Sequence, residues 1–375
     1  MMGFGAWCRK RLFPDALNGV VSLAVLAVLA FLLYALCRWA LFSAQWQVIT
    51  QNIRFLMAGS LPSPDIWRAW TAGAIFMFMT GLSLGKLLPI RRIPLLLGGL
   101  LLLALAIAAM TVIGQPQWAL VLALAAAANT GWLCAAHPRS TSTLLGTAWV
   151  VTTIVMWNIL IPGESKAVGG LLLGLLITMV AVIFSFPVGV ALALGRTSRL
   201  PGIRLTCVCY IELIRSLPLI SILYWAWMVV PLILPGDVRI SDLVRGAVGF
   251  TLFYAAYVAE YVRGGLQGVP RDQVNAAKSL GLNTFSSMYH IVLPQALRSV
   301  LPALVGNVLD IFNNVPLLFI IGLTEFVRAG QVLLSNPQHS GQMYEVYVFM
   351  FAVYLAMATL LSWSSRVVEA RLGYH

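Results

Sequence analysis

Asp310, Asn313 and Asn314 stand inside an otherwise apolar run near the C-terminal end of the chain. Spaced by three and four residues, they share one face of a helix. A carboxylate on such a face favours an ammonium or guanidinium group, because ionisable groups among apolar spans mark a working interior by default. A capped or protonated Asp310 at a helix–helix interface is the competing reading. Pro316 follows and frees a carbonyl one turn back. Glu212 and Arg215, three residues apart, also share a helix face. They read either as a polar gate on a pathway or as a mutually neutralised structural pair near the end of a span. Pro218 and Pro231 then interrupt the backbone ladder. Broken helices of this kind border substrate cavities, and a packing kink is the plain alternative. Glu260 and Arg263 have the spacing of an ion pair at the edge of a span.

Other chemistries lack their residues. No paired catalytic carboxylates occur. No Gly-x-x-x-x-Gly-Lys loop cradles a phosphate, so ATP hydrolysis, if coupled to this protein, must come from another chain. His137, His290, His339 and His375 are scattered without ligand spacing. Cys8, Cys37, Cys134, Cys207 and Cys209 read as small apolar helix residues, and no metal site is expected.

The elements that must position these groups follow from composition. The chain has 375 residues, 60% hydrophobic and 10% charged, against about 25% charged for soluble domains. The expected fold is an all-α polytopic membrane protein, since lipid cannot satisfy unpaired backbone groups. Ten candidate spans are expected, at 20–37, 70–88, 93–113, 118–136, 144–161, 168–194, 207–234, 243–261, 300–323 and 346–363. The net charge of +12 reflects basic loops on one side of the membrane rather than a nucleic-acid surface. With the N-terminus in the cytoplasm, 16 of 24 Lys and Arg fall on the cytoplasmic side and 7 opposite, Arg215 lying within a span. That bias supports five N-terminal spans and two cytoplasmic termini. A polar break at 161–166 divides the chain into a membrane extension, 1–162, and a second part, 163–375, whose spans carry the polar residues. The N-terminal apolar run reads as a retained span, without a clear cleavage site.

The loop 263–298 joins two spans on the cytoplasmic side. Pro270 suits a first helical position. Residues 271–280 lack a breaker, and Gly281 suits a left-handed cap. Asn283 can cap a second helix, 284–292, expected to stop near Pro294. The two helices meet at Gly281-Leu282. Small Ala276 and Ala277 permit close approach of another surface, and Val274, Leu280, Leu282, Phe285 and Met288 offer apolar area. Docking of a cytoplasmic partner is favoured over a hairpin lying on lipid, since the two helices carry only Arg271 and Lys278 as basic residues.

Asn275-Ala276-Ala277, Gly281 and Ile291-Val292-Leu293-Pro294 resemble the E-A-A-x3-G-x9-I-x-L-P loop of ATP-binding-cassette importer permeases. The segment from Tyr210 to Leu219 is similar to the Y-I-E-x-x-R-G-T-P-L of their polar amino acid branch. Ala256-Tyr257-Val258-Ala259-Glu260 and Leu293-Pro294-Gln295-Ala296-Leu297-Arg298 resemble its A-Y-x-A-E and L-P-Q-A-L-R. The resemblance runs in order from Val168 to about Arg371, so the C-terminal five spans are expected to form the permease core. It implies a bacterial inner-membrane subunit that provides half of a path for amino acids. It also implies a second permease subunit, two ATPase subunits that bind ATP and Mg, and an extracytoplasmic substrate-binding protein. The loop residues Asn275, Ala276, Ala277, Gly281, Leu282, Ile291, Leu293 and Pro294 would couple to the ATPase. Glu212, Arg215, Pro218, Asp310, Asn313 and Asn314 would line the path. The chain departs from the pattern at Asn275, where the family has Glu, and at Asn313-Asn314-Val315-Pro316-Leu317, where it has K-D-T-S-L. An ion-driven secondary transporter or a non-transporting membrane scaffold is the alternative.

Overall fold

The computed structural model describes residues 15–87, 116–134, 141–161, 168–235 and 240–371. The described residues form helices and turns, with a single isolated bridge between Gly170 and Glu325. The expected span 93–113 and most of the break at 161–166 lie outside the described residues.

The N-terminal part supplies α1 (Ala16–Phe42), α2 (Gln47–Ala58), α3 (Ile66–Leu87), α4 (Pro116–Cys134) and α5 (Thr141–Leu160). Then come α6 (Gly170–Arg196), α7 (Pro201–Ser216), α8 (Leu219–Met228), α9 (Asp242–Gly268), α10 (Arg271–Ser279), α11 (Thr284–Ser287), α12 (Leu293–Asn314), α13 (Phe326–Leu334) and α14 (Met343–Arg371). Among the described residues, four helical stretches are long and apolar enough to cross a bilayer: Asn18–Phe42, Gly170–Arg196, Thr284–Ile321 and Pro337–Ser364. A fifth arises if the bent pair Pro201–Ser216 and Leu219–Ile233 counts as one.

The centre of the bundle is the packing of α9 against α6. The facing surfaces are small: Gly189 and Ala193 on α6, and Ala255 and Ala259 on α9, all buried. Lipid offers no hydrophobic drive between two apolar helices, so close contact between small residues supplies the attraction instead. Phe250, Leu173, Leu176, Ile177 and Ile311 fill the core around this seam. Being enclosed by neighbours, α9 tolerates Arg245 and Glu260 within its length; α1, exposed along nearly its whole surface, is apolar from Leu23 to Cys37 and carries Arg38 only in its last turns.

The described residues thus give four or five such stretches where ten spans are expected, and two local findings differ as well. The span expected at 207–234 is two helices bent by 104°. Leu217 and Pro218 both adopt extended backbone there, because Pro218 disfavours the helical region for the residue before it. Conversely, the helix expected to stop near Pro294 runs on. Met288–Val292 is a π turn in which Leu293 N–H reaches the Met288 carbonyl. The wider turn places Pro294 in the opening turn of α12, where a missing N–H is tolerated. Helix α12 then tightens into a 3-10 segment, Val315–Ile321, at Pro316.

The loop expected between the first two spans also contains α2, which the span count passed over. Its Val48, Ile49 and Leu56 are buried against Phe326, Ala329, Leu333, Val346 and Met350 of α13 and α14. Gly169 N–H donates to the Ala58 carbonyl at 3.1 Å, and Gly170 N–H to the Thr324 carbonyl at 2.8 Å. Glu325 caps α13 by accepting from Val327 N–H and Arg328 N–H at 2.8 and 2.7 Å. The N-terminal part is thereby fastened to the core at the end of the bundle opposite residues 271–292.

Candidate functional site: a helical elbow and the charged root of its helices

The segment 271–292 folds as an elbow. Pro270 precedes α10, with Asp272 in its first turn and Lys278 in its last, the polarity that suits the helix dipole. Gly281 has φ +76°. With that turn, Leu282 N–H reaches the Ala277 carbonyl at 3.1 Å and closes the helix end. The Asn283 side chain accepts from Ser286 N–H at 2.7 Å, starting the second arm. The first short helix, the Gly281-Leu282 junction and the Asn283 cap are thus as the sequence indicates, whereas the second arm does not end near Pro294.

The faces of the elbow are sorted more sharply than composition allowed. Leu280 and Phe285 are 80% and 76% exposed. Leu282, Asn275 and Ala276 are exposed as well. Ala277, expected on the outer face beside Ala276, is instead buried against the protein. Consecutive residues are 100° apart on a helix, so the two alanines serve different faces. Val274 and Met288 likewise turn inward. Ile291 and Leu293 are half-buried and Pro294 is exposed, at the root of the second arm.

Four charged side chains from three helices, with Arg263 one turn further along, meet where the elbow joins the bundle. Glu260 of α9 is the hub. It accepts from Arg263 Nε at 2.9 Å and lies 3.3 Å from Arg196 of α6 and 3.7 Å from Arg215 of α7. Arg196 also pairs with Glu212 of α7 at 3.0 Å. Glu212 and Arg215, expected as a possible mutual pair, therefore reach different partners. The helix spacing that lets them share a face also lets both face Arg196 and Glu260. The Arg215 guanidinium additionally lies 5.7 Å from the centre of the Tyr257 ring. The Glu260–Arg263 pair forms as expected. Arg196 is the member that sequence reading left among the loop cations; its signal is its position as the last residue of a 27-residue apolar helix.

Farther along the bundle, Tyr254 of α9 donates its hydroxyl to the Asp310 carbonyl at 3.1 Å. The Asn314 amide donates to the Tyr254 hydroxyl at 3.1 Å and to the Asp310 carbonyl at 2.8 Å. Asp310 and Asn313 point outward and are exposed, whereas Asn314 turns in. The three polar residues thus divide: two present themselves at the surface, and the third locks α12 to α9. Pro218 sits at the bend between α7 and α8, exposed. Asp310 lies about 25 Å along the axis from Leu293, so it is remote from the elbow.

The family of the binding-protein-dependent transport system inner membrane component matches residues 185–374. The chain belongs to this family. That match contains the elbow, α9 and α12. Among relatives of this inner membrane component, the amino-acid ABC transporter permease protein YhdY of Escherichia coli K12 is 36% identical over 234 residues, covering 60% of this chain and 64% of YhdY. The glutamate/glutamine/aspartate/asparagine transport system permease protein BztC of Rhodobacter capsulatus is 28% identical over 408 aligned positions, covering 98% of this chain and 93% of BztC. The glutamate/aspartate import permease protein GltK of Escherichia coli O6:H1 is 30% identical over 219 residues, covering 56% of this chain and 96% of GltK. A crystal structure of an amino acid ABC transporter with histidines superposes with a TM-score of 0.49 at 25% identity, covering 63% of this chain and 99% of that one.

Proposed function

We propose that this inner membrane component is the permease subunit of an ATP-binding-cassette importer for amino acids. It provides half of the translocation path, and ATP hydrolysis belongs to separate subunits. The observation that carries the reading is the elbow: a capped, two-armed helical projection with Leu280 and Phe285 exposed at its tip, inside the family-matched region. Large apolar side chains held outward on an ordered loop fit a protein groove. In this reading Asn275, Ala276, Gly281 and Leu282 meet an ATPase subunit, while Ala277, Ile291, Leu293 and Pro294 join the elbow to the bundle.

The path is assigned to the face bearing Asp310 and Asn313, with Pro218, Glu212 and Arg215 nearer the elbow. A second permease subunit would close that face. Two ATPase subunits would bind ATP and Mg, and an extracytoplasmic binding protein would deliver substrate. The membrane topology proposed is ten spans with both termini in the cytoplasm, 1–162 forming the extension and 163–375 the permease core. Amino acids as substrates are supported by the names of the relatives, and Asp310 favours one with a cationic group.

The test is reconstitution with the cognate ATPase and a screen of amino acids for stimulated ATP turnover. Stimulation by an amino acid supports the assignment; transport by this chain without any ATPase refutes it. Asp310→Asn tests the path separately, because unchanged substrate preference and rate would discard Asp310 as a path residue.

A further inference from the structure

Behind the elbow lies a cavity of about 550 Å³, between the ends of α6 and α9, the start of α7 and the inner face of the elbow. Four cations line it: Arg196, Arg204, Arg263 and Lys278; no Asp or Glu does. Arg196 and Arg263 are met by Glu260 and Glu212. Arg204 and Lys278 enter no ion pair among the described residues. Two full positive charges therefore face the same space without a counter-charge.

A second observation points the same way. Ser287 also lines the cavity, is 4% exposed, and its hydroxyl has no hydrogen-bond partner. A buried unpartnered hydroxyl is costly, and an oxygen-rich anion in the cavity would relieve it. Leu266, Val274 and Val292 make another part of the wall apolar. A free phosphate ion gains nothing from that part; a molecule with an anionic head and an apolar body gains from both. The cavity also opens where spans end, at the level of lipid headgroups, and basic pockets between helices at that level suit anionic headgroups.

We propose that this cavity binds the phosphate and glycerol of an anionic phospholipid, with Arg204, Lys278 and Ser287 as the phosphate-binding residues. The elbow then has two working faces: an outer one for a protein and an inner one seated on a lipid. This goes beyond the transport assignment, and lipid retention is read without any transport or ATP turnover.

The experiment uses the full chain, with its ATPase bound, in nanodiscs of phosphatidylcholine or of phosphatidylcholine mixed with phosphatidylglycerol. Lipid retained after detergent washing is quantified by mass spectrometry. The parent should retain phosphatidylglycerol in preference to phosphatidylcholine. Arg204→Gln with Lys278→Gln should weaken that retention about 25-fold, at about fivefold per removed cation. Arg204 lies off the elbow and Lys278 lines its inner face, so the variant should still copurify with the ATPase. Ser287→Ala should weaken retention by a smaller factor. The control pair Arg199→Gln with Arg366→Gln, exposed cations outside the cavity, should retain lipid as the parent does. Equal retention by the cavity variant and the parent would overturn the proposal, as would equal loss in the control pair. Soluble glycerol phosphate binding the parent as tightly as the lipid would overturn the lipid as the source of the phosphate.

Discussion

Gly281→Ala isolates the backbone of the elbow from its side chains. Gly281 has φ +76°, and a methyl group built there meets nothing within 4 Å. Any effect must therefore come from the left-handed backbone rather than from a clash. Placing an L-residue with a Cβ in that region costs about 1–2 kcal/mol, a factor of roughly 5 to 30 in an equilibrium constant. When the elbow is free it can relieve this strain by leaving the bent conformation, at the expense of the Leu282–Ala277 and Gly281–Lys278 hydrogen bonds. Docking must then restore the bend, so affinity for the ATPase falls by up to that factor. Gly281→Asn should lie between parent and alanine, because asparagine tolerates the left-handed region better than other side chains. The assay is titration of the purified ATPase onto the permease in nanodiscs, with amide hydrogen exchange across 271–292. Parent-like affinity together with parent-like protection in Gly281→Ala would refute the claim that the bend constrains docking. Equal loss for alanine and asparagine would move the cause from backbone to the contact surface.

Three further outcomes follow from the geometry. Glu260→Gln keeps the shape of the hub but leaves Arg215 and Arg263 without their carboxylate; a loss on the order of 1–3 kcal/mol is expected, seen as a lower midpoint of heat unfolding in detergent, and an unchanged midpoint would show that the helices are held by packing alone. Gly265→Ala puts a methyl group 2.5 Å from the Ala296 carbonyl, forcing α9 and α12 apart next to the elbow; reduced coupling of ATP turnover to transport is expected, whereas parent-like coupling would mean that this crossing yields freely. Tyr254→Phe removes the hydroxyl shared by the Asp310 carbonyl and Asn314 amide, costing about 1 kcal/mol; because Asn314 keeps its bond to the Asp310 carbonyl, substrate preference should hold while stability falls, and a changed preference would place Tyr254 itself on the path.

The elbow was legible in the sequence because its determinants are local. Pro270, Gly281 and Asn283 each act through their own backbone or the next turn, and such signals do not depend on what lies across the fold. The continuation of the helix through Pro294 was not legible, since a π turn is set by how the segment is pulled between elbow and bundle. The bend at Pro218 was half-legible: the proline announces a break, but its 104° angle depends on how α8 packs against α9. The charge hub shows the same limit from another side. Spacing gave the Glu260–Arg263 pair, three residues apart, yet Arg196 stands 64 residues from Glu260 and is joined to it only by the packing of α6 on α9. Helix α2 was hidden for a simpler reason. Its twelve residues are too short and too polar on one side to register as a span, though its apolar face is what binds α13 and α14.

These pieces fix how force applied at the elbow must travel. Val269, in extended backbone, and Pro270 link α9 to the first arm with no residue of slack beyond them, while the second arm continues through the π turn into α12. Pulling on the tip therefore loads both helices at once, and the crossing near Gly265 and Ala296 transmits load between them. Glu260 extends the coupling to α6 and α7 through charge contacts that side chains 20–35% exposed can make and remake. Apolar seams such as α6–α9 are close-packed and resist sliding. Charged contacts at a half-wet rim exchange partners at little cost. A movement of the elbow is then expected to hinge where the ion pairs lie and to carry the packed seam as one body. Asp310, fixed to α9 through Tyr254, would move with that body rather than with the elbow.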